Sequence, residues 1–178
     1  HLIVLLQYSI TQQEDLMFSK LFEALDEKFD FQRASAHCDV PCGIYDPISA
    51  QIAALTVVRM VDLMHGLDAE GVAFENSMSR YISVKEEHAE LAKHEIRVIW
   101  GDYIKAQHVE QFPELHELTH TIMQFGSKSR QTADRESAVE FVENINKFAK
   151  IFWATKGVAT KRANAPYAPA LEMVYPDL

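Results

Sequence analysis

Four stretches downstream of Pro47 repeat apolar side chains at alternating spacings of three and four, and that pattern leaves few folds open. At 3.6 residues per turn, each repeat becomes one apolar helix face that must be buried against another. The first stretch carries Ile52, Leu55, Val58, Val61 and Leu63, runs to about Leu67, and has Pro47 suited to its first turn. Gly66 and Gly71 bracket a break. The second runs from about Asn76 to Lys105, with Tyr81, Val84, His88, Leu91, Glu95 and Val98 on one stripe. Pro113 opens the third, with Leu115, Leu118, Ile122 and Phe125 on one face; Gly126 and the polar residues Ser127 to Asp134 are expected to end it. The fourth has Ala138, Phe141, Ile145, Phe148 and Phe152. Short connections between such helices predict an all-α fold, an antiparallel four-helix bundle over residues 48–156. Six glycines and six prolines in 178 residues are too few for a turn-rich sheet protein. Residues 157–178 hold three prolines and no clear period, which reads as an arm on a neighbouring subunit or a disordered tail.

Just ahead of the bundle, His37-Cys38-Asp39-Val40-Pro41-Cys42-Gly43-Ile44-Tyr45-Asp46-Pro47 contains both cysteines of the chain. Pro41 turns the backbone between the two thiols and Gly43 frees it just after. Two nearby thiolates are soft donors suited to a transition metal. Other readings are a disulfide, a thiol-redox pair or half of a zinc site. So short a disulfide loop constrains little chain entropy, and a zinc site needs two more ligands with no second cysteine pair to supply them. If the chain is cut between Ala36 and His37, the new terminus offers an amine and an imidazole from His37, with the Cys38 amide nitrogen next in line. Amine, amide nitrogen and two sulfurs make a nearly planar donor set that favours Ni(II) or Cu(II) over Zn(II).

The segment H-C-x-x-P-C-G-x-Y-D-P resembles the N-terminal metal-binding hook of the nickel superoxide dismutases, which are made as precursors and cut just before the histidine. The resemblance continues through Leu91-Ala92-Lys93-His94, Trp100-Gly101-Asp102-Tyr103, Phe112-Pro113-Glu114-Leu115-His116 and Lys150-Ile151-Phe152-Trp153, covering residues 37–156. It implies a four-helix bundle assembled as a homohexamer, one nickel ion per subunit, and disproportionation of superoxide to dioxygen and hydrogen peroxide through a Ni(II)/Ni(III) cycle. His37, Cys38 and Cys42 would hold the metal, with the His37 imidazole as an axial ligand in the oxidised state. Tyr45 and Tyr103 would crowd the open side and guide superoxide, and Asp39 would fix the hook by hydrogen bonding. In the family the position matching His88 is often an arginine bonding near the hook histidine, and a glutamate often stands where Ala53 lies. Both are departures here, and His88 is a candidate to replace the missing partners of the His37 imidazole. The alternative reading is a non-catalytic metal-binding or thiol-redox helical bundle.

Residues 1–36 then read as a leader or propeptide that keeps the His37 nitrogen in a peptide bond until a processing protease acts. His1 to Ile10 is apolar but lacks a basic n-region and is short for a signal peptide. Met17 offers an alternative start, followed by Phe18, Leu21, Phe22, Leu25 and Phe29 at helical spacing. A cytoplasmic location is expected. With a net charge of −9 and no basic run, the chain is a poor partner for nucleic acid or an anionic membrane. Superoxide is itself an anion, so its attraction must come from local positive charge.

One further motif needs testing. His116-Glu117-Leu118-Thr119-His120 matches the H-E-x-x-H of zinc metalloproteases, but those histidines fall on the face opposite Leu115, Leu118 and Ile122 and should point to solvent. Glu117 and His120 likewise resemble half of a di-iron site, with no second Glu-x-x-His to complete it. His65, His94 and His108 read as surface or interface residues.

Overall fold

The computed structural model describes residues 43–178, so the hook residues His37, Cys38, Asp39 and Cys42 and the leader lie outside the described part. The chain enters the bundle through the end of the hook. The Asp46 carboxylate accepts the Ile48 amide at 2.8 Å, and the Pro47 carbonyl accepts Gln51 N–H at 3.1 Å. Asp46 thereby satisfies one of the amides that every helix leaves unbonded at its start. Helix α1 is Ile48–His65 and α2 is Gly71–Val98. A π-helical turn, Ile99–Tyr103, closes α2 and is sealed by Ile104 N–H donating to Ile99 O at 3.1 Å. A short α3, Ala106–Gln111, leads to α4, Leu115–Gln131, and then α5, Arg135–Thr155.

The four long helices pack in a ring: α1 on α2, α2 on α4, α4 on α5, and α5 back on α1. The predicted faces of α4 and α5 hold up. Leu115 and Ile122 are fully buried, as are Ala138, Phe141, Ile145, Phe148 and Phe152. The α2 stripe differs from the expected one by about one residue. The buried line is Lys85, Ala89, Ala92, Ile96 and Ile99, whereas Leu91 is exposed and His88 and Glu95 are half-buried. Large side chains at three-four spacing suggested the wrong face. Instead alanines line the buried face of α2, and α1 likewise buries Ala50, Ala53 and Ala54 while leaving Ile52 exposed. Small residues let packed helix axes approach closely. By length and composition α1 could cross a membrane, but it carries Arg59 and Asp62 and buries its apolar face in the bundle core.

Two predicted boundaries also move. Gly71, not Asn76, starts α2, and Gly126 does not end α4, which runs five residues further to Gln131. Gly126 is there because α2 crosses at that point: a Cβ would lie 2.7 Å from the Lys93 side chain and 3.0 Å from Phe141 Cζ. The end of α4 is held instead by the buried Lys85, whose ammonium donates to the carbonyls of Ser129, Arg130 and Thr132 at 2.6, 2.6 and 2.8 Å. A cation at a helix C-terminus meets both the unbonded carbonyls and the negative end of the dipole.

Residues 157–178 are not a structureless tail. Gly157, at φ +70°, ends α5 in a left-handed turn, with Val158 N–H donating to Trp153 O at 3.0 Å. The chain then forms an antiparallel hairpin, β1 Thr160–Asn164 with β2 Glu172–Pro176. β2 lies on α5 and buries Met173 and Val174. Asn146 on α5 acts as its hydrogen-bonding template: Oδ1 accepts Val174 N–H at 3.2 Å and Nδ2 donates to Glu172 O at 2.9 Å. Gln51 Nε2 on α1 donates to both Asn146 Oδ1 at 2.9 Å and Val174 O at 3.0 Å. Outside this polar core, Arg162 on β1 forks onto Glu143 of α5 at 2.5 and 2.9 Å.

Candidate metal centre and its tyrosine wall

The π turn sets the position of Tyr103. It ends α2 on Tyr103, the next position of the buried line after Ile96 and Ile99, and then turns the chain away at Ile104, whose φ and ψ of −68° and 132° are extended. Tyr103 is thereby held half-buried among rings. Tyr45 meets it at 5.6 Å between centroids, His108 stacks on it at 5.2 Å and 20°, and Phe152 packs against it at 5.1 Å. Tyr45 packs against the core three residues before α1 begins. The two tyrosines singled out in the sequence therefore meet, although 58 positions part them in the chain.

Three neighbours of Tyr103 escaped the sequence reading. Thr155 Oγ1 lies 2.8 Å from the Tyr103 hydroxyl. The Lys156 ammonium sits 4.6 Å from the Tyr103 ring centroid and 5.2 Å from that of Phe152, within cation–π range. His108 is half-buried as the stacking partner of Tyr103. The only sequence signal for these was proximity to the Trp100–Tyr103 and Lys150–Trp153 segments, since no periodicity brings the end of α5 to the end of α2.

His88 Nδ1 lies 2.8 Å from Val84 O, one turn back on its own helix. A carbonyl can only accept, so Nδ1 carries the proton and Nε2 is the nitrogen free of one in the neutral ring. Ala53 is buried in the core of α1. His116, Glu117 and His120 all face outward, as expected from the helix geometry. The Trp100 indole donates to His116 Nδ1 at 3.0 Å, which makes that histidine a hydrogen-bond acceptor.

Among the described residues no three His, Cys, Asp or Glu side chains converge as a metal-binding group. Residues 37–42 carry side chains of the kind that suits a transition metal, namely two thiols and an imidazole. That set fits nickel, because anionic sulfur and nitrogen donors stabilise the higher oxidation state.

Comparison with known proteins agrees. A family profile for nickel-containing superoxide dismutases matches residues 32–156, which include the hook and all four long helices. The Streptomyces coelicolor "Superoxide dismutase [Ni]" is 39% identical over 122 residues, 68% of this chain and 89% of that protein. Its counterpart from Streptomyces seoulensis is 39% identical over 124 residues, 70% of this chain and 91% of that one. The solved native nickel superoxide dismutase superposes with a TM-score of 0.62 at 38% identity, covering 67% of this chain and 99% of its own. A second structure, with nickel ligation corresponding to the oxidised state, gives 0.63 at 37% identity over 68% and 99%. The family match ends before the hairpin at residues 160–176, which is an addition to the shared bundle. The chain belongs to the nickel-containing superoxide dismutase family.

Proposed function

We propose that this chain disproportionates superoxide to dioxygen and hydrogen peroxide at a nickel centre completed by cleavage between Ala36 and His37. The observation that carries the proposal is the intact H-C-x-x-P-C-G-x-Y-D-P segment at residues 37–47, inside a family match that spans the bundle. After the cut, His37 offers its amine and imidazole, Cys38 its amide nitrogen and thiolate, and Cys42 the second thiolate. Nickel held by these donors would supply the one-electron redox chemistry that the disproportionation of superoxide requires. Before the cut, the His37 nitrogen is tied up in a peptide bond and is no amine donor.

The remaining roles belong to protein groups. Asp39 fixes the hook by hydrogen bonding. Tyr45 and Tyr103, with ring centroids 5.6 Å apart, would guide superoxide and hold water at the nickel centre. The overall charge of −9 repels an anion, so the Lys156 ammonium beside Tyr103 supplies the local attraction. We further propose a cytoplasmic homohexamer with one nickel per subunit.

The test is a native mass spectrum of the protein co-expressed with a processing protease and nickel, followed by a superoxide assay. A chain starting at His37 with one nickel per subunit, hexameric and active, is expected. A correctly cut chain that carries zinc, or a Cys38–Cys42 disulfide, and has no activity would favour a non-catalytic metal-binding or thiol-redox bundle.

A further inference from the structure

We infer that Thr155 is a positioning residue that fixes the hydroxyl proton of Tyr103 and leaves its oxygen as an acceptor. Thr155 Oγ1 has two oxygen neighbours: Phe152 O at 2.6 Å and the Tyr103 hydroxyl at 2.8 Å. A threonine hydroxyl has one proton, and a carbonyl has none to give. Two oxygens 2.6 Å apart without a proton between them repel, so the Thr155 proton lies on Phe152 O. The 2.8 Å contact is then filled by the proton of Tyr103. The relative acidities agree, since a phenol with a pKa of about 10 is a better donor than an alkyl hydroxyl. The ring is already fixed by Tyr45, His108 and Phe152, so the hydroxyl rotor is the remaining freedom, and Thr155 removes it.

The consequence rests on the reading of Tyr103 as part of the wall beside the hook. With its proton committed to Thr155, Tyr103 does not donate to bare superoxide, which can only accept. It accepts instead from a donor, either water or product hydrogen peroxide. A water held this way keeps its second proton for the incoming anion. Thr155 thus makes Tyr103 a holder of the proton-bearing water and not a direct ligand of superoxide.

The ring-vibration doublet of tyrosine in Raman spectra distinguishes a phenol that donates from one that only accepts. The difference spectrum of wild type minus Tyr103→Phe should report a donating Tyr103, and this needs no Thr155 variant to fold. Thr155→Val should abolish the donor signature, leave nickel content unchanged, and lower kcat/KM about fivefold, the worth of one neutral hydrogen bond. Thr155→Ser should restore both the signature and the rate. A wild-type Tyr103 that reads as acceptor only, or a Thr155→Val enzyme with wild-type kcat/KM, overturns the inference. A donating Tyr103 in a nickel-loaded wild type without dismutase activity would support the hydrogen-bond assignment and refute the enzymatic reading instead.

Discussion

Asn146→Ala should detach the C-terminal hairpin from the bundle. The side chain is 1% exposed and makes three hydrogen bonds: it accepts from Gln51 Nε2 and Val174 N and donates to Glu172 O. Each such bond contributes about 1 kcal/mol net, and each buried partner left without one costs about 1–3 kcal/mol. Gln51 Nε2 keeps Val174 O, and water can reach the exposed Glu172, so the Val174 amide is the main orphan. The total comes to about 3–5 kcal/mol. If the hairpin and bundle unfold together, that is a fall in Tm of about 6–20 °C at about 2–4 °C per kcal/mol. If the hairpin opens alone, Tm barely moves, but exchange protection of the Met173 and Val174 amides should fall about a thousandfold, at tenfold per 1.4 kcal/mol. Thermal unfolding by circular dichroism together with amide exchange separates the two. Unchanged Tm and unchanged protection at Met173 and Val174 would refute the template role of Asn146.

Gly126→Ala should destabilise by about 1–2 kcal/mol in urea unfolding. The added methyl meets Phe141 and the Lys93 stem at 2.7–3.0 Å, and that overpacking outweighs the gain of about 1 kcal/mol in helix propensity; a stabilised variant would sink the argument. Cys38→Ser should abolish nickel binding and dismutase activity while the helical circular dichroism spectrum stays unchanged; full nickel and full rate would refute the ligand assignment. The Arg162 guanidinium holds the Glu143 carboxyl below its ordinary 4.5. A carboxyl lowered in the folded state contributes stability above that ordinary value, and this is lost as pH falls through the lower folded value. Wild type and Glu143→Gln should therefore differ in stability at pH 6 to 7 and converge on acidification. A difference that grows in acid would contradict that sign.

What could be read in advance followed the strength of the local signal. Phe141, Ile145, Phe148 and Phe152 are large apolar residues at helical spacing, and all are buried where expected. On α2 the buried line is Lys85, Ala89, Ala92 and Ile96, with one large apolar residue among the four, so spacing among its larger residues pointed about a hundred degrees off. Gly126 looked like a helix end because a glycine beside polar residues usually is one. Only the crossing of Lys93 explains why this glycine stays inside a helix. The hairpin was invisible because its order comes from two polar side chains, Gln51 and Asn146, 123 and 28 positions away from Val174, not from its own pattern.

By itself the sequence determined the bundle and the chemistry of the hook. Helical periodicity is local, and the proposed donors, two thiols and a histidine, lie within six consecutive residues, His37 to Cys42. Tertiary structure alone decided what surrounds Tyr103. The π turn after Val98 and the end of α5 bring Tyr45, His108, Thr155 and Lys156 onto one ring. Those contacts depend on how helix ends meet in space, and hydrophobic period carries information about faces but none about ends.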